Sequence, residues 1–306
     1  MPRNRQNAFT LIELLVVVGI IALLIGMLMP SLSRARKQAR ATVCSTRLRT
    51  LGQGLNLYAN EYADRLPPGR MPKVDDANWQ IRIAGGLKYR PTFLAMMGDQ
   101  ITVPPFDDPQ PFKTSVDRHG QTGDRQDYSA EAYVCPTVAD WTDERNAAYG
   151  YNYQFLGNSR LHDASDPHAF KNWPVSLSRV RSPSACVAVA DCMGTAASFA
   201  PGRRRLYANN LRDKDRLGNE GFNLDPPTVD AERGDMAGAS GSPPVRSAVD
   251  PRHGGKANVL WVDTHVGSHT PRQLGYAQQP DGVIGFSGDN RLWHIDQTDR
   301  PWVSAE

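Results

Sequence analysis

The sequence predicts an α+β protein: a long N-terminal helix, half transmembrane and half amphipathic, packed on a small antiparallel sheet with long loops. Three observations predict it. The run Phe9 to Met29 is apolar apart from Glu13. Beyond Pro30, Leu32, Ala35, Ala39, Val43, Leu48, Leu51, Leu55, Tyr58 and Tyr62 recur mostly at spacings of three or four, an amphipathic stripe. Short strand-like segments, broken by stretches rich in Pro, Gly and Asp, fill the rest.

As a helix the first run is roughly 30 Å long, the thickness of a bilayer's hydrocarbon core. It can span a membrane once. A cleaved secretory signal also begins with a short basic segment, here Arg3 and Arg5, and Ser31-Leu32-Ser33 offers a small-x-small site. The run exceeds the usual apolar length of about 7 to 15 residues for such signals, however, and it carries a carboxylate. Burying that Glu13 in lipid costs on the order of 2.5 to 3.5 kcal/mol and demands a partner, yet the run contains no Lys or Arg. A cut between Ala8 and Phe9 would create an α-amino group four residues before Glu13, and a neighbouring copy's amine would serve equally well.

At these residues the sequence resembles type IV pilins and the pseudopilins of type II secretion systems. Phe9-Thr10-Leu11-Ile12-Glu13 matches their post-cleavage motif, and Pro30 falls where pilins often carry a helix-bending proline. Ala8 stands where the family usually has Gly. The resemblance implies that a prepilin peptidase removes Met1 to Ala8, that Phe9 is N-methylated, and that Glu13 neutralises the Phe9 amine of an adjacent subunit in a filament. The partners it implies are like subunits or other pseudopilins, the peptidase, a secretion platform, an ATPase and membrane lipid. The expected place is the bacterial inner membrane, with a single pass and a periplasmic globular domain.

Composition bounds the rest. A chain of 306 residues accommodates the membrane helix and one or two globular units. Net charge of +3 gives no argument for nucleic acid, and none is expected as partner. Arg34, Arg36, Lys37, Arg40, Arg47 and Arg49 follow the apolar run and suit anionic lipid head groups. Loop-charge statistics alone would put this flank in the cytoplasm, opposite to the orientation that the pilin resemblance implies.

The expected domains are a leader (1–8), a transmembrane helix (9–29), its amphipathic continuation (30–66), and a β-rich globular domain (67–306) with an irregular insertion at about 201–251. Pro30 should kink the helix and Leu66-Pro67-Pro68-Gly69 should stop it. Met71 to Asp127 is rich in Pro, Gly and Asp, with Ile101 to Tyr128 reading as long loops and Trp79 to Ile83 and Thr92 to Met97 as short elements. Strands are expected at Ala132 to Cys135, Ala148 to Phe155, Ala185 to Cys192, Ala257 to Asp263 and Val283 to Phe286, with Ala185 to Ala190, apolar on both faces, at the centre of the sheet. In the helix, Cys44, Leu48-Arg49, Leu51-Gly52 and Tyr58-Ala59-Asn60 are similar to a pseudopilin-like group abundant in planctomycetes.

Cys44, Cys135, Cys186 and Cys192 are disulfide candidates with three full pairings open, and their spacing does not match a zinc site. Within one extended strand, Cys186 and Cys192 would stand about 20 Å apart, beyond bridging reach. The segment Arg252 to Val266 resembles the C-terminal signature of the same group, a His followed after nine residues by Asp-Gly. His253 and Asp263 keep the spacing, and Thr264 replaces the Gly, which puts in question whether the turn after Asp263 takes the φ above zero that Gly would permit. His253, Asp263 and His265 are metal-ligand types, with Asp191 next, so a divalent cation is a candidate cofactor; a purely structural role gives the same letters. No catalytic motif is present, and no enzyme is expected.

The reading is a pseudopilin-like structural subunit for protein export. Its rivals are an anchored metal-binding or enzymatic domain and a type IV pilin for adhesion or DNA uptake.

Overall fold

The computed structural model describes residues 10–71, 80–111, 126–138, 142–158, 173–204, 221–228 and 246–299. Ala8, Phe9 and parts of the expected insertion lie outside them. By its contacts the chain separates into two compact units, Met1–Thr42 and Val43–Glu306.

One helix, α1, runs from Leu11–Glu61 and passes through Pro30. Its start is fixed by a capping box: the Thr10 backbone N–H donates to the Glu13 carboxylate at 2.9 Å, and the Glu13 N–H donates to the Thr10 hydroxyl at 3.3 Å. In the first unit every large apolar side chain from Leu11 to Leu32 is exposed. This stretch is long and apolar enough to cross a membrane. In the second unit the helix buries one stripe, Cys44, Leu48, Leu51, Gly52, Gly54, Leu55 and Ala59. The helix ends before the prolines, at Ala63 and Asp64, both with left-handed φ, where the Asp64 N–H reaches the Ala59 carbonyl at 2.7 Å.

After α1 come a hairpin, β1 (Gln80–Ile83) with β2 (Gly86–Tyr89), and a short helix, α2 (Phe93–Met96). Ala132 and Tyr133, expected to begin a strand, lie instead in a 3-10 turn, Glu131–Tyr133. It buries Tyr133 against Tyr128. Next are β3 (Tyr149–Asn152), α3 (Tyr153–Leu156) and a two-stranded pair, β4 (Gly157–Asn158) with β5 (Trp173–Pro174). The alternating tyrosines therefore part company, Tyr149 and Tyr151 on a strand and Tyr153 on a helix. Then follow β6 (Val187–Asp191), β7 (Asn223–Leu224), β8 (Ala257–Trp261), β9 (Val266–His269), and a pair, β10 (Ala277–Gln278) with β11 (Ile284–Gly285).

Among the described residues the main sheet has the order β7-β3-β6-β8-β9, with β6 in the middle as its two-faced apolarity predicts. Its pairs are antiparallel except β3 with β7. That strand comes from the stretch expected to bury little, and Phe222, Leu224, Ala248 and Val249 around it are core residues. The insertion is therefore partly structural: its apolar residues are few but land on the sheet edge.

The sheet buries both faces. Leu48, Leu51 and Leu55 of α1 join one core with Tyr149, Tyr151, Ala188, Val189, Leu260 and Val262. Val187, Ala190, Val259 and Trp261 form the other with Leu274, Tyr276 and Trp293 from the C-terminal segment. A register shift between Val187 and Val189 turns both Ala188 and Val189 toward the α1 side. Within the fold Lys88 Nζ lies 2.8 Å from Glu144 Oε2, both side chains buried, and burial lifts the Glu144 carboxyl to about 7 despite that cation.

Candidate functional site

Two places carry functional chemistry, the start of α1 and a buried polar cluster beneath its second half. At the first, Glu13 is the lone acidic residue of the exposed apolar stretch and also receives the Thr10 hydroxyl at 2.8 Å. The expected cut between Ala8 and Phe9 lies outside the described residues.

The second is assembled from four distant segments. Cys44 comes from the buried stripe of α1, Cys135 from the segment after the 3-10 turn, Asp191 from the end of β6, and His253 from the approach to β8. One ligand-type atom from each lies within 4.8 Å of all the others. His253 is delivered by a tight turn: its N–H bonds the Lys256 carbonyl at 3.0 Å across Gly254 and Gly255, with φ of 66° and 84°. Positive φ at both central residues is the requirement that glycine meets without strain.

The contacts within the cluster are close. The Cys44 thiol donates to Asp191 Oδ1 at 3.1 Å, and His253 Nε2 lies 3.3 Å from Asp191 Oδ2 and 3.7 Å from Cys135 Sγ. The Asn258 backbone N–H donates to Asp191 Oδ2 at 2.7 Å, and the Tyr149 hydroxyl approaches Cys44 Sγ at 3.5 Å. Burial pushes the Cys44 thiol strongly up, whereas the hydrogen bond from Cys44 draws Cys135 down to about 4. Burial alone would lower His253, but its bonds to Asp191 and Cys135 raise it to about 9. Cys44 has one proton for two acceptors, so the site concentrates negative charge among few donors. Arg252 beside it pairs with Asp250 at 2.9 Å. Cys135 is 0% exposed, which keeps a substrate from reaching its sulfur.

The structure does not bring the expected trio together. His253 and the Asp263–His265 pair lie at opposite ends of β8, whose five residues span roughly 17 Å. Asp263 and His265 form a local, exposed pair, Nδ1 to Oδ1 2.6 Å, with the His265 ring stacked on Trp261. Asp263 also accepts the His265 backbone N–H, so it shapes the turn. All four cysteines are free and buried. Cys186 and Cys192 flank the extended β6, which precludes their pairing, and burial lifts both thiols to about 12. Sequence reading placed Asp191 among the candidate ligands but missed Cys44 and Cys135 in that role, because close Cys or His spacing was the only signal sought and these residues have none.

Residues 3–29 match the family described as the prokaryotic N-terminal methylation motif. Residues 33–178 match the family described as a protein of unknown function (DUF1559). No curated protein and no solved structure matches. The methylation motif implies processing by a prepilin peptidase and assembly with pilin-like subunits, and the N-terminal apolar helix fits an inner-membrane anchor of that kind. The motif, the exposed apolar first half of the helix and the sheet that its second half covers fit a type IV pilin-like protein with a prepilin-type N-terminus.

Proposed function

We propose that the chain is a pseudopilin-type structural subunit of a type II secretion system, anchored in the inner membrane with its globular domain in the periplasm. The observation that carries this reading is Glu13, the one carboxylate within the exposed apolar first half of α1. A carboxylate there is unfavourable in lipid and becomes favourable when a cation reaches it. The amine freed at Phe9 of an adjacent subunit is a cation at the matching height, so bundling the helices relieves the cost. Assembly then follows from pairing that charge as each helix leaves the bilayer. A secretion platform and an ATPase supply the work, and the globular domain performs no catalysis.

The test is intact mass and N-terminal sequencing of membrane-extracted protein beside a Glu13→Ala variant. A mature chain beginning at N-methylated Phe9, with filament assembly lost in the variant, is the expected outcome. A chain beginning at Arg34 would mean a secreted domain, and one retaining Met1 to Ala8 a static anchor; either refutes the proposal.

A further inference from the structure

We infer that Cys44, Cys135, Asp191 and His253 form a binding site for one divalent cation of the zinc class, a staple that ties the helical spine to the sheet. Four kinds of observation converge on it. The donor set is two thiols, an imidazole and a carboxylate, all ligand types that zinc binds and four in number, enough to close a tetrahedron. Softer thiolates argue against calcium or magnesium, which require oxygen ligands.

The spacing fits. A tetrahedral ion with bonds of about 2.0 to 2.3 Å holds its ligand atoms roughly 3.3 to 3.8 Å apart. His253 Nε2 is 3.3 Å from Asp191 Oδ2 and 3.7 Å from Cys135 Sγ. Cys44 Sγ, at 3.1 Å from Asp191 Oδ1, sits closer because a thiol proton bridges the two atoms, and all four ligand atoms lie within 4.8 Å of one another, so an ion replacing that proton draws the widest pairs together by up to about 1 Å.

The surroundings also suit an ion. Outer groups that orient metal ligands are present: the Asn258 N–H fixes the Asp191 carboxylate, and the Ser268 hydroxyl in turn holds the Asn258 side chain at 2.7 Å. The side chain of Arg252 is almost wholly buried beside the cluster, where its charge, shared with Asp250, faces the excess of two thiolates and a carboxylate over one dication.

Finally, the placement has a use. Cys44 lies in the stretch where α1 first becomes buried, and the other three ligands come from the domain beneath it. Metal binding there crosslinks segments about 210 residues apart in sequence, and its free energy adds to the stability of the folded domain.

The test uses the full chain, extracted in detergent and kept reduced, loaded with zinc or with cobalt(II) as the spectroscopic probe. One metal per chain, a thiolate-to-cobalt charge-transfer band and tetrahedral ligand-field absorption are expected. Cys135→Ser and His253→Gln should each weaken retention about tenfold or more while far-ultraviolet circular dichroism stays unchanged. Zinc should also raise the melting temperature of the wild-type chain. Should the variants fail to fold, the wild-type cobalt spectrum decides alone. Absence of the thiolate band, a Cys44–Cys135 disulfide in protein isolated without reductant, or equal metal retention in the variants would each overturn the assignment.

Discussion

Thr264 occupies a backbone position with φ of 74°, a left-handed conformation that costs a β-branched residue roughly 1 to 2 kcal/mol. Its N–H closes the turn to the Trp261 carbonyl at 2.9 Å, and the Trp261 N–H donates to the His265 carbonyl at 3.0 Å, so the neighbours hold the strain in place. The resemblance to a His-x9-Asp-Gly signature marked Thr264 as standing where Gly is usual, and the structure shows that the turn keeps the left-handed backbone all the same. Replacing Thr264 with Gly should raise the urea midpoint of the domain by an amount equivalent to about 1 kcal/mol, less whatever the side chain gains by packing near Gly52. A lowered midpoint would mean that this packing outweighs the strain. His253 teaches the opposite lesson. Its residue type suggested a ligand, but the sequence paired it with Asp263 and His265, ten and twelve positions on, because proximity along the chain was the only distance available. The strand between them carries those two away, and the partner carboxylate is Asp191, one strand over.

The helix α1 shows how far periodicity reaches at the scale of an element. It begins at Leu11, inside the apolar run, and ends at Glu61, one residue before the last member of the stripe, Tyr62, since a long apolar run followed by a three-four stripe has few other solutions. What terminates it was less legible. The prolines at 67 and 68 follow the stop, whereas Ala63 and Asp64 make it by adopting left-handed φ without glycine. Within the stripe, Gly52 and Gly54 are needed for close approach: a Cβ at Gly52 would stand 2.6 Å from Leu260 Cδ1, and one at Gly54 2.6 Å from Ile101 Cγ2. Gly52→Ala gains about 1 kcal/mol of helix propensity but forces the helix off β8, at a cost of roughly 1 to 3 kcal/mol for overpacking. The expected result is net destabilisation in urea unfolding, because Leu260 is fully buried and has nowhere to turn. An unchanged or higher midpoint would show that the helix and sheet tolerate separation.

For the whole molecule, the two compact units predict separable stabilities. Residues from Leu11 to Leu32 contribute exposed side chains, and the core of the second unit begins at Cys44. A chain starting at Arg34 should therefore unfold in urea with a free energy within about 0.5 kcal/mol of the detergent-extracted full chain. A deficit of several kcal/mol would mean that the apolar segment helps to hold the domain. The sequence by itself determined the membrane-length helix, the prepilin-type start, the amphipathic continuation and the central place of β6, because each is written in local periodicity or in a contiguous motif. Only the tertiary structure decided that β7 joins the sheet edge in parallel, that the C-terminal segment covers the second face, and that Cys44, Cys135, Asp191 and His253 converge. Those outcomes depend on which distant segments share a buried volume, and burial of a polar group is favourable only beside the partner that folding brings to it.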